Sequence, residues 1–392
     1  MPSRTLAQAR INKNDEFYTQ WSDIEREVQA YLEYNPNVFR EKTVLCPCDD
    51  PEWSNFTKFF ALHFQEYGLK KLISTSYAPE SKTYKFGYQT TLFEMNDPKF
   101  DADKTKTSGK IFILDSEDIN DDGRINIDDL KWDYMDGDGD FKSEEIVSLR
   151  NEADIIITNP PFSLFRDFLA WIIEVKKQFL IIGNMNAITY KEVFPHIRKN
   201  NVWLGATGNG TDMVFAVPKG AEVAEKDREK AARLGYIGDY TRLGNSCWFT
   251  NLDHGRRHQP IPLMTMTDNL KFSKHKEIKG QVAYNSYDNY NAIEVPYVDS
   301  IPSDYVGVMG VPISFLDKYC PEQFEIIGTS DNGIVDDKYK TTPGLSKKFV
   351  DDYYSTGGKG AYKEGNPTAG MYVNGVATMA YKRIFIKKRE VR

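Results

Sequence analysis

The chain has 392 residues, 40% of them hydrophobic and 13% aromatic, enough apolar material for one large domain or two moderate ones. No apolar run approaches membrane-spanning length, and the start, MPSRTLAQARINKNDEF, lacks the apolar core of a secretory signal, so an intracellular, cytoplasmic protein without a membrane partner is expected. A formal net charge of −7 is unusual for a nucleic-acid binder, yet acidic residues crowd into 115–145 while the end, YKRIFIKKREVR, is basic, so the average conceals a local asymmetry. The cysteines Cys46, Cys48, Cys247 and Cys320 lack a zinc spacing and read as buried thiols.

Residues 1–14 read as a polar arm. In DEFYTQWSDIEREVQAYLEYN, Trp21, Ile24, Val28, Tyr31 and Leu32 recur at helical spacing, which predicts an amphipathic helix capped by Ser22 or Thr19, with Phe17 packing against a sheet. KTVLC at 42–46 predicts a strand, 47–54 a loop, 55–67 a helix and LKKLIS at 69–74 the next strand. This βαβ unit departs from the dinucleotide fingerprint, because its turn, CPCDDPEWS, has no glycine. Residues 78–107 are polar and irregular, with a hairpin expected near 84–95. In DINDDGRINIDD, Asp118, Asn120 and Asp122 fall at the first, third and fifth positions of a calcium loop. Gly123 stands at the sixth, Arg124 at the seventh (a backbone carbonyl position), Ile125 at the eighth and Asp129 at the twelfth. A structural calcium site and a solvated acidic loop both fit this spacing. DGDGDFKSEE, from Asp136, repeats it only superficially, since Tyr134 would be the first ligand. Instead, Asp140 is suited to accept from an adenine amino group while Phe141 packs on the ring.

The central stretch is ADIIITNPPFSLFRDF. Residues 154–158 are a β-branched run suited to a buried parallel strand, and Asn-Pro-Pro stops it at once, because proline cannot continue a ladder. The tetrapeptide Asn159, Pro160, Pro161, Phe162 therefore stands at a strand's carboxyl end, where open α/β sheets bind ligands. Its chemistry suits methylation of an exocyclic amine. An adenine amino group is a poor nucleophile; two fixed acceptors, the Asn159 side-chain oxygen and the Pro160 carbonyl, favour the positive charge that develops on nitrogen during attack on a sulfonium methyl. Phe162 is placed to stack on a base that has left the helix. The same motif also reads as a turn ending a strand, with Phe162 in the core.

Further on, 164–175 predicts a helix, 179–182 a buried strand with a polar exit at 183–187, and 202–204 with 213–217 a terminal strand pair around GATGNGTD. The charged AEVAEKDREKAARLG predicts a helix or an exposed insertion; SCWFT at 246–250 predicts a strand, followed by the cluster HGRRH. From about residue 270 the texture turns to Tyr, Asn and Asp, and regular periodicity fades.

DEFYTQ, VLCPCDDPEWSNF, GDGDFKSEE, ADIIITNPPFSLF, FLIIGNMNAITYKEVF and GVMGVPISFLDKY together resemble the EcoRI-type adenine-specific DNA methyltransferases over nearly the whole chain. The resemblance implies an α/β fold: a Rossmann-like class I S-adenosylmethionine-dependent methyltransferase sheet with helices on both faces. It places this domain at 15–255, with an acidic insertion at about 78–145, and an irregular target-recognition region at 256–392. It implies S-adenosylmethionine as cofactor, adenine N6 in duplex DNA as substrate after base flipping, and a restriction–modification system whose cognate endonuclease forms no stable complex. By the resemblance Asn159, Pro160, Pro161 and Phe162 grip and stack the target adenine. Asp140 and Phe141 hold the cofactor's adenine; the turn that begins at Cys46 and Pro47 and ends at Pro51 occupies the place of the cofactor-binding motif, with Asp49 or Asp50 contacting the methionine end, and Tyr18 and Thr19 close over that end. The acidic residue that commonly binds ribose is not evident, Tyr77 standing near its place. For DNA backbone contacts the expected cations are Arg256, Arg257, Lys271, Lys274, Lys387, Lys388 and Arg389. Competing readings are methylation of RNA or of a protein amide nitrogen, and a non-catalytic DNA-binding or calcium-dependent interaction protein.

Overall fold

The computed structural model describes residues 17–50, 54–78, 97–207, 213–217, 223–330, 344–379 and 382–389. The expected polar arm, the hairpin near 84–95 and part of the GATGNGTD loop lie outside these residues. The chain divides into two compact units, Met1–Met185 with Leu204–Gly255, and Asn186–Trp203 with Arg256–Arg392.

The first unit is a mixed α/β structure. It begins with strand β1 (Tyr18–Thr19), helix α1 (Trp21–Tyr34), β2 (Thr43–Cys46), α2 (Asn55–Leu62), β3 (Lys71–Ser76), β4 (Lys110–Leu114) and β5 (Lys131–Tyr134). There follow α3 (Glu144–Glu152), β6 (Ile155–Thr158), α4 (Phe165–Glu174), β7 (Gln178–Asn184), β8 (Trp203–Leu204), β9 (Met213–Ala216), α5 (Glu225–Arg233), β10 (Tyr240–Leu243) and β11 (Ser246–Thr250). Eight strands form one sheet in the order β5-β4-β3-β2-β6-β7-β11-β8. β3, β2, β6 and β7 are parallel, and β4, β5 and β11 join antiparallel. The runs TVLC and IIIT are buried at every position, as parallel strands covered on both faces require. From β2 the chain moves to β3 on one side, and from β6 to β7 on the other. The order thus reverses between β2 and β6, the place where open α/β sheets leave a crevice at their carboxyl ends.

One face of the sheet carries α1 and α2, whose Ile24, Val28, Tyr31, Phe56, Phe59 and Phe60 form a core with Ile182 and Trp248. The other face carries α4: Phe165 lies 4.8 Å from Phe249, and adjacent residues along β11 point to opposite faces. Helix α1 has the predicted period, but its N-cap, Gln20, makes no side-chain cap bond; Thr19 is held instead in β1, paired with Phe215 of β9. The expected helix at 55–67 breaks at His63, ending in a left-handed Gly68 with φ 63°. The expected pairing of 202–204 with 213–217 does not occur. β8 lies at the edge of the large sheet, whereas β9 is the middle strand of a separate sheet, β1-β9-β10.

Glu27, fully buried on α1, anchors the chain leaving β8. It accepts from the backbone N–H groups of Ala206 and Thr207, both at 2.7 Å, and from the Tyr31 hydroxyl at 2.8 Å. Gly205 passes so close that a Cβ there would stand 2.3 Å from Glu27 Oε1.

The second unit was expected to be irregular, yet it contains its own sheet. Its elements include α6 (Met266–Phe272), β12 (Ile293–Glu294), β13 (Val308–Pro312), β14 (Phe324–Thr329), α7 (Lys347–Ser355), β15 (Met371–Val373), β16 (Val376–Thr378) and β17 (Arg383–Lys388). The order is β12-β13-β17-β14, with β15-β16 as a separate hairpin. The basic end of the sequence therefore forms an inner strand, with Ile384, Phe385 and Ile386 buried. Arg383 donates from Nε to Glu294 Oε1 at 3.0 Å and from Nη2 to the same oxygen at 2.6 Å, and Tyr287 bonds the other carboxylate oxygen. Among the described residues no helix is long and apolar enough to cross a membrane.

Candidate active site

The switch between β2 and β6 brings two turns together. Thr158, the last residue of β6, donates from Oγ1 to the Pro47 carbonyl at 2.8 Å, tying the turn after β6 to the turn after β2. The turn after β2 has no glycine, but Cys48 takes the left-handed conformation, φ 66°, that a glycine would ordinarily supply. Hydroxyls replace the missing flexibility: Cys48 N–H donates to Thr75 Oγ1 at 3.3 Å, Thr57 donates to the Asp49 carbonyl at 3.2 Å, and Ser74 reaches that same carbonyl.

Asp49 is buried. One oxygen accepts from Ser54 Oγ at 2.6 Å, while Oδ2 is covered and has no partner. Burial raises its pKa from the ordinary carboxylate range to about 7, against the lowering effect of the Ser54 hydroxyl. Thr19 is likewise buried with Oγ1 unpartnered, and its backbone carbonyl accepts from Asn55 Nδ2 at 2.7 Å.

Asn159 follows β6 directly. Its Nδ2 donates to the Phe17 carbonyl at 2.6 Å, which fixes the amide, and its Oδ1 is covered and unpartnered. Phe17 thus does more than the packing expected of it: besides lying 5.5 Å from the Phe162 ring and 5.9 Å from Phe215, it orients Asn159 through its backbone. Phe162 is half-buried, with Phe215 edge-on to it at 6.4 Å.

The loop after β5 crosses the carboxyl end of β3. Gly139, at φ 83°, passes Ser76 so closely that a Cβ would stand 2.4 Å from its carbonyl. Asp140 is half-buried and accepts at Oδ1 from Lys142 N–H at 2.9 Å. Phe141 differs from the expectation. It is 1% exposed, its ring 5.2 Å from Phe168 and 5.6 Å from Trp171, so it holds the loop on α4 rather than offering a face to a ligand. An acidic residue of this loop does reach the end of β3: Tyr77 donates from its hydroxyl to Asp138 Oδ2 at 2.9 Å. Sequence spacing had no signal for Asp138, because the contact joins turns 61 residues apart.

A cavity of about 400 Å³ opens beside Phe17 and Phe162 and is walled further by Asn184, Arg242, Asn245 and Ser246. None of these four stood out in the sequence, where Asn184 fell in the polar exit of one predicted strand and Ser246 at the start of another.

The cations expected at DNA are largely engaged within the second unit. Arg256 pairs with Asp317 at 2.7 Å; Arg257, 7% exposed, lies over Trp203 with its guanidinium carbon 3.6 Å from the ring centroid. Lys274 pairs with Asp299 at 2.8 Å, Lys388 donates to the Ser303 carbonyl, and Arg389 donates to the Phe324 carbonyl at 3.2 Å. Lys387 stands across from Glu325 in the sheet, and Lys271 is exposed.

The calcium expectation finds no support. Among the described residues no group of three or more acidic, histidine or cysteine side chains is placed to hold a metal. Asp118 accepts from Gly123 N–H at 2.7 Å, Asn120 from Asp122 N–H at 3.0 Å and Asp122 from Arg124 N–H at 2.8 Å. Asp129 accepts from Ile119 and Asn126 N–H groups at 2.9 and 3.0 Å. The loop's acceptors close it on its own backbone, as Asx turns do.

A mixed α/β sheet with an Asn-Pro-Pro-Phe corner beside its switch point is consistent with a methyltransferase fold. The family model described as adenine-specific methyltransferase EcoRI matches residues 5–389, and the chain belongs to this family of DNA methyltransferases. It is 42% identical to the Type II methyltransferase M.EcoRI of Escherichia coli over 327 residues, 83% of this chain and 89% of that protein. It is 34% identical to M.MpnI of Mycoplasma pneumoniae, over 81% of this chain and 83% of that protein, and 34% identical to M.MgeORF184P of Mycoplasma genitalium, over 81% and 84%. No solved structure matches. Family membership implies S-adenosylmethionine as methyl donor and DNA as substrate.

Proposed function

We propose that the enzyme methylates N6 of an adenine flipped out of duplex DNA at a defined sequence, as the modification partner of an endonuclease that acts separately. The observation that carries this reading is the state of Asn159: its Nδ2 is committed to the Phe17 carbonyl, so the amide cannot rotate, and Oδ1 is left as a buried acceptor. An unpaired buried acceptor costs about 1–3 kcal/mol. A substrate N–H removes that cost, and the interaction strengthens as positive charge develops on nitrogen. With the Pro160 carbonyl as second acceptor, both protons of an exocyclic amine are held; Phe162 stacks on the base, and Pro161 fixes the corner.

S-adenosylmethionine supplies a methyl group already activated on sulfonium. The residues around the β2 turn fit this cofactor, since Asp49 Oδ2 and Thr19 Oγ1 are both buried without partners. Asp49 takes the ammonium of its methionine end, with Asp50 beside it, while Thr19 and Tyr18 close over that end; Cys46 and Pro47 shape the turn. Asp138, held by Tyr77, takes a ribose hydroxyl, and Asp140 the adenine amino group. In this reading the first unit is a Rossmann-like class I sheet with the catalytic domain at 15–255, and 256–392 recognises the target, with Lys271 and Lys387 the remaining candidates for phosphate contacts.

The test is transfer of labelled methyl to unmethylated duplex DNA, RNA and bulk protein in parallel. Label in duplex DNA alone supports the reading. Label in RNA or protein alone moves the substrate to another amine or amide, and failure to bind the cofactor removes the enzyme reading.

A further inference from the structure

We infer that the cavity beside Phe162 receives the target adenine and that the Ser246 hydroxyl reads a ring nitrogen of that base. The inference rests on the methyltransferase reading above and names a group that sets its base specificity.

The sheet places the residue. Ser246 opens β11 and pairs directly with Asn184, the last residue of β7; two residues along, Trp248 pairs with Ile182. Side chains alternate along a strand, so Ser246 and Asn184 point to the same face as Trp248 and Ile182. Phe162 packs against the cluster that contains those two residues. Three features therefore meet on one face: an aromatic ring, the polar ends of two strands and a cavity of about 400 Å³. That volume lies in the range of small-ligand pockets, roughly 300–1,000 Å³.

Ser246 is 1% exposed, and its Oγ has no hydrogen-bond partner. A buried, unpaired hydroxyl in a cavity wall is unusual, because buried polar groups are nearly always satisfied. Phe162, three residues beyond the equally unpartnered Asn159 Oδ1, lines the same cavity. Adenine complements this pair. Its amino group offers two donors, and the ring nitrogens N1 and N7 flanking it are acceptors. With the amine on Asn159 Oδ1, a hydroxyl in the wall donates to one of those nitrogens. Guanine presents a carbonyl where adenine has the amine, setting two acceptors against each other at Asn159.

The test uses a duplex carrying the recognition sequence, located beforehand by mapping methylated positions, with adenine, 1-deazaadenine or 7-deazaadenine at the target. kcat/KM is measured for the wild type, for Ser246→Ala, and for Ser246→Cys, which keeps the size but donates weakly. A neutral hydrogen bond predicts a loss of roughly five- to tenfold. Wild type should lose that factor on one of the two deaza substrates. Ser246→Ala and Ser246→Cys should lose it on adenine and lose nothing more on that same deaza substrate. Equal losses on all three substrates, or no loss on adenine, overturn the role of Ser246 while leaving the methyltransferase reading intact. If the wild type does not methylate adenine in DNA, both fall together.

Discussion

In Asp49 burial and the proposed cofactor contact bear on one side chain. Its carboxyl pKa is raised to about 7 by burial, above an ordinary unfolded value of about 3.9. The folded protein therefore binds more protons than the unfolded chain between those values, so this group's contribution to stability falls as pH rises from about 4 to about 7 and is level above. A ligand ammonium favours the charged carboxylate, which gives the opposite trend for binding. Cofactor affinity, measured by calorimetry, should rise by up to about tenfold per unit as pH increases toward 7, with proton release, and Asp49→Asn should flatten the profile. A wild-type profile identical to that of the variant contradicts this role. At this scale the place of Asn159, directly after β6, was legible in the sequence, because the strand and its proline stop lie within a few residues. The orienting Phe17 carbonyl was not, since that bond spans 142 residues.

Among the elements, α1 was legible through its apolar period, but its most consequential residue lies outside that pattern. Glu27 is a fully buried carboxylate, its pKa raised by burial despite the hydrogen bonds it accepts, and it pins the chain at Gly205–Thr207 on the way to β9. β9 in turn pairs with β1, the strand that follows Phe17. Glu27→Ala should lower stability by about 2–4 kcal/mol, read as a drop in thermal midpoint, because several buried donors lose their acceptor. A change below about 0.5 kcal/mol would show that the anchor contributes little. The short strands of the second unit were illegible for a related reason. β17 reads as a basic tail because its flanking residues are charged, and only its partners β13 and β14, far away in sequence, reveal it as an inner strand.

For the whole molecule, that position of β17 changes what truncation should do. Were the basic end a solvated DNA-binding arm, removing residues 382–392 would weaken DNA binding with stability unchanged. As an inner strand it carries the backbone ladders of both β13 and β14, together with Arg383, whose guanidinium is paired with Glu294. The truncated protein should lose cooperative unfolding of the second unit, measured by calorimetry, whereas Lys387→Ala should leave unfolding within about 0.5 kcal/mol of the wild type. An unchanged transition after truncation contradicts this placement. The strands β2 and β6 were legible as short apolar runs, the second stopped by proline, but their order at the switch, the separate β1-β9-β10 sheet and the division of residues between the units depend on long-range pairings that local periodicity does not encode.

In the proposed mechanism a fixed Asn159 carboxamide drives methylation of an adenine amine. The most direct test is to label duplex DNA with methyl from S-adenosylmethionine, digest it to nucleosides and repeat the reaction with Asn159→Ala. The wild type should place label in N6-methyl-2′-deoxyadenosine; the variant should bind cofactor but transfer methyl roughly 10²–10³-fold more slowly. Undiminished transfer by the variant, or label at another position, would contradict the account.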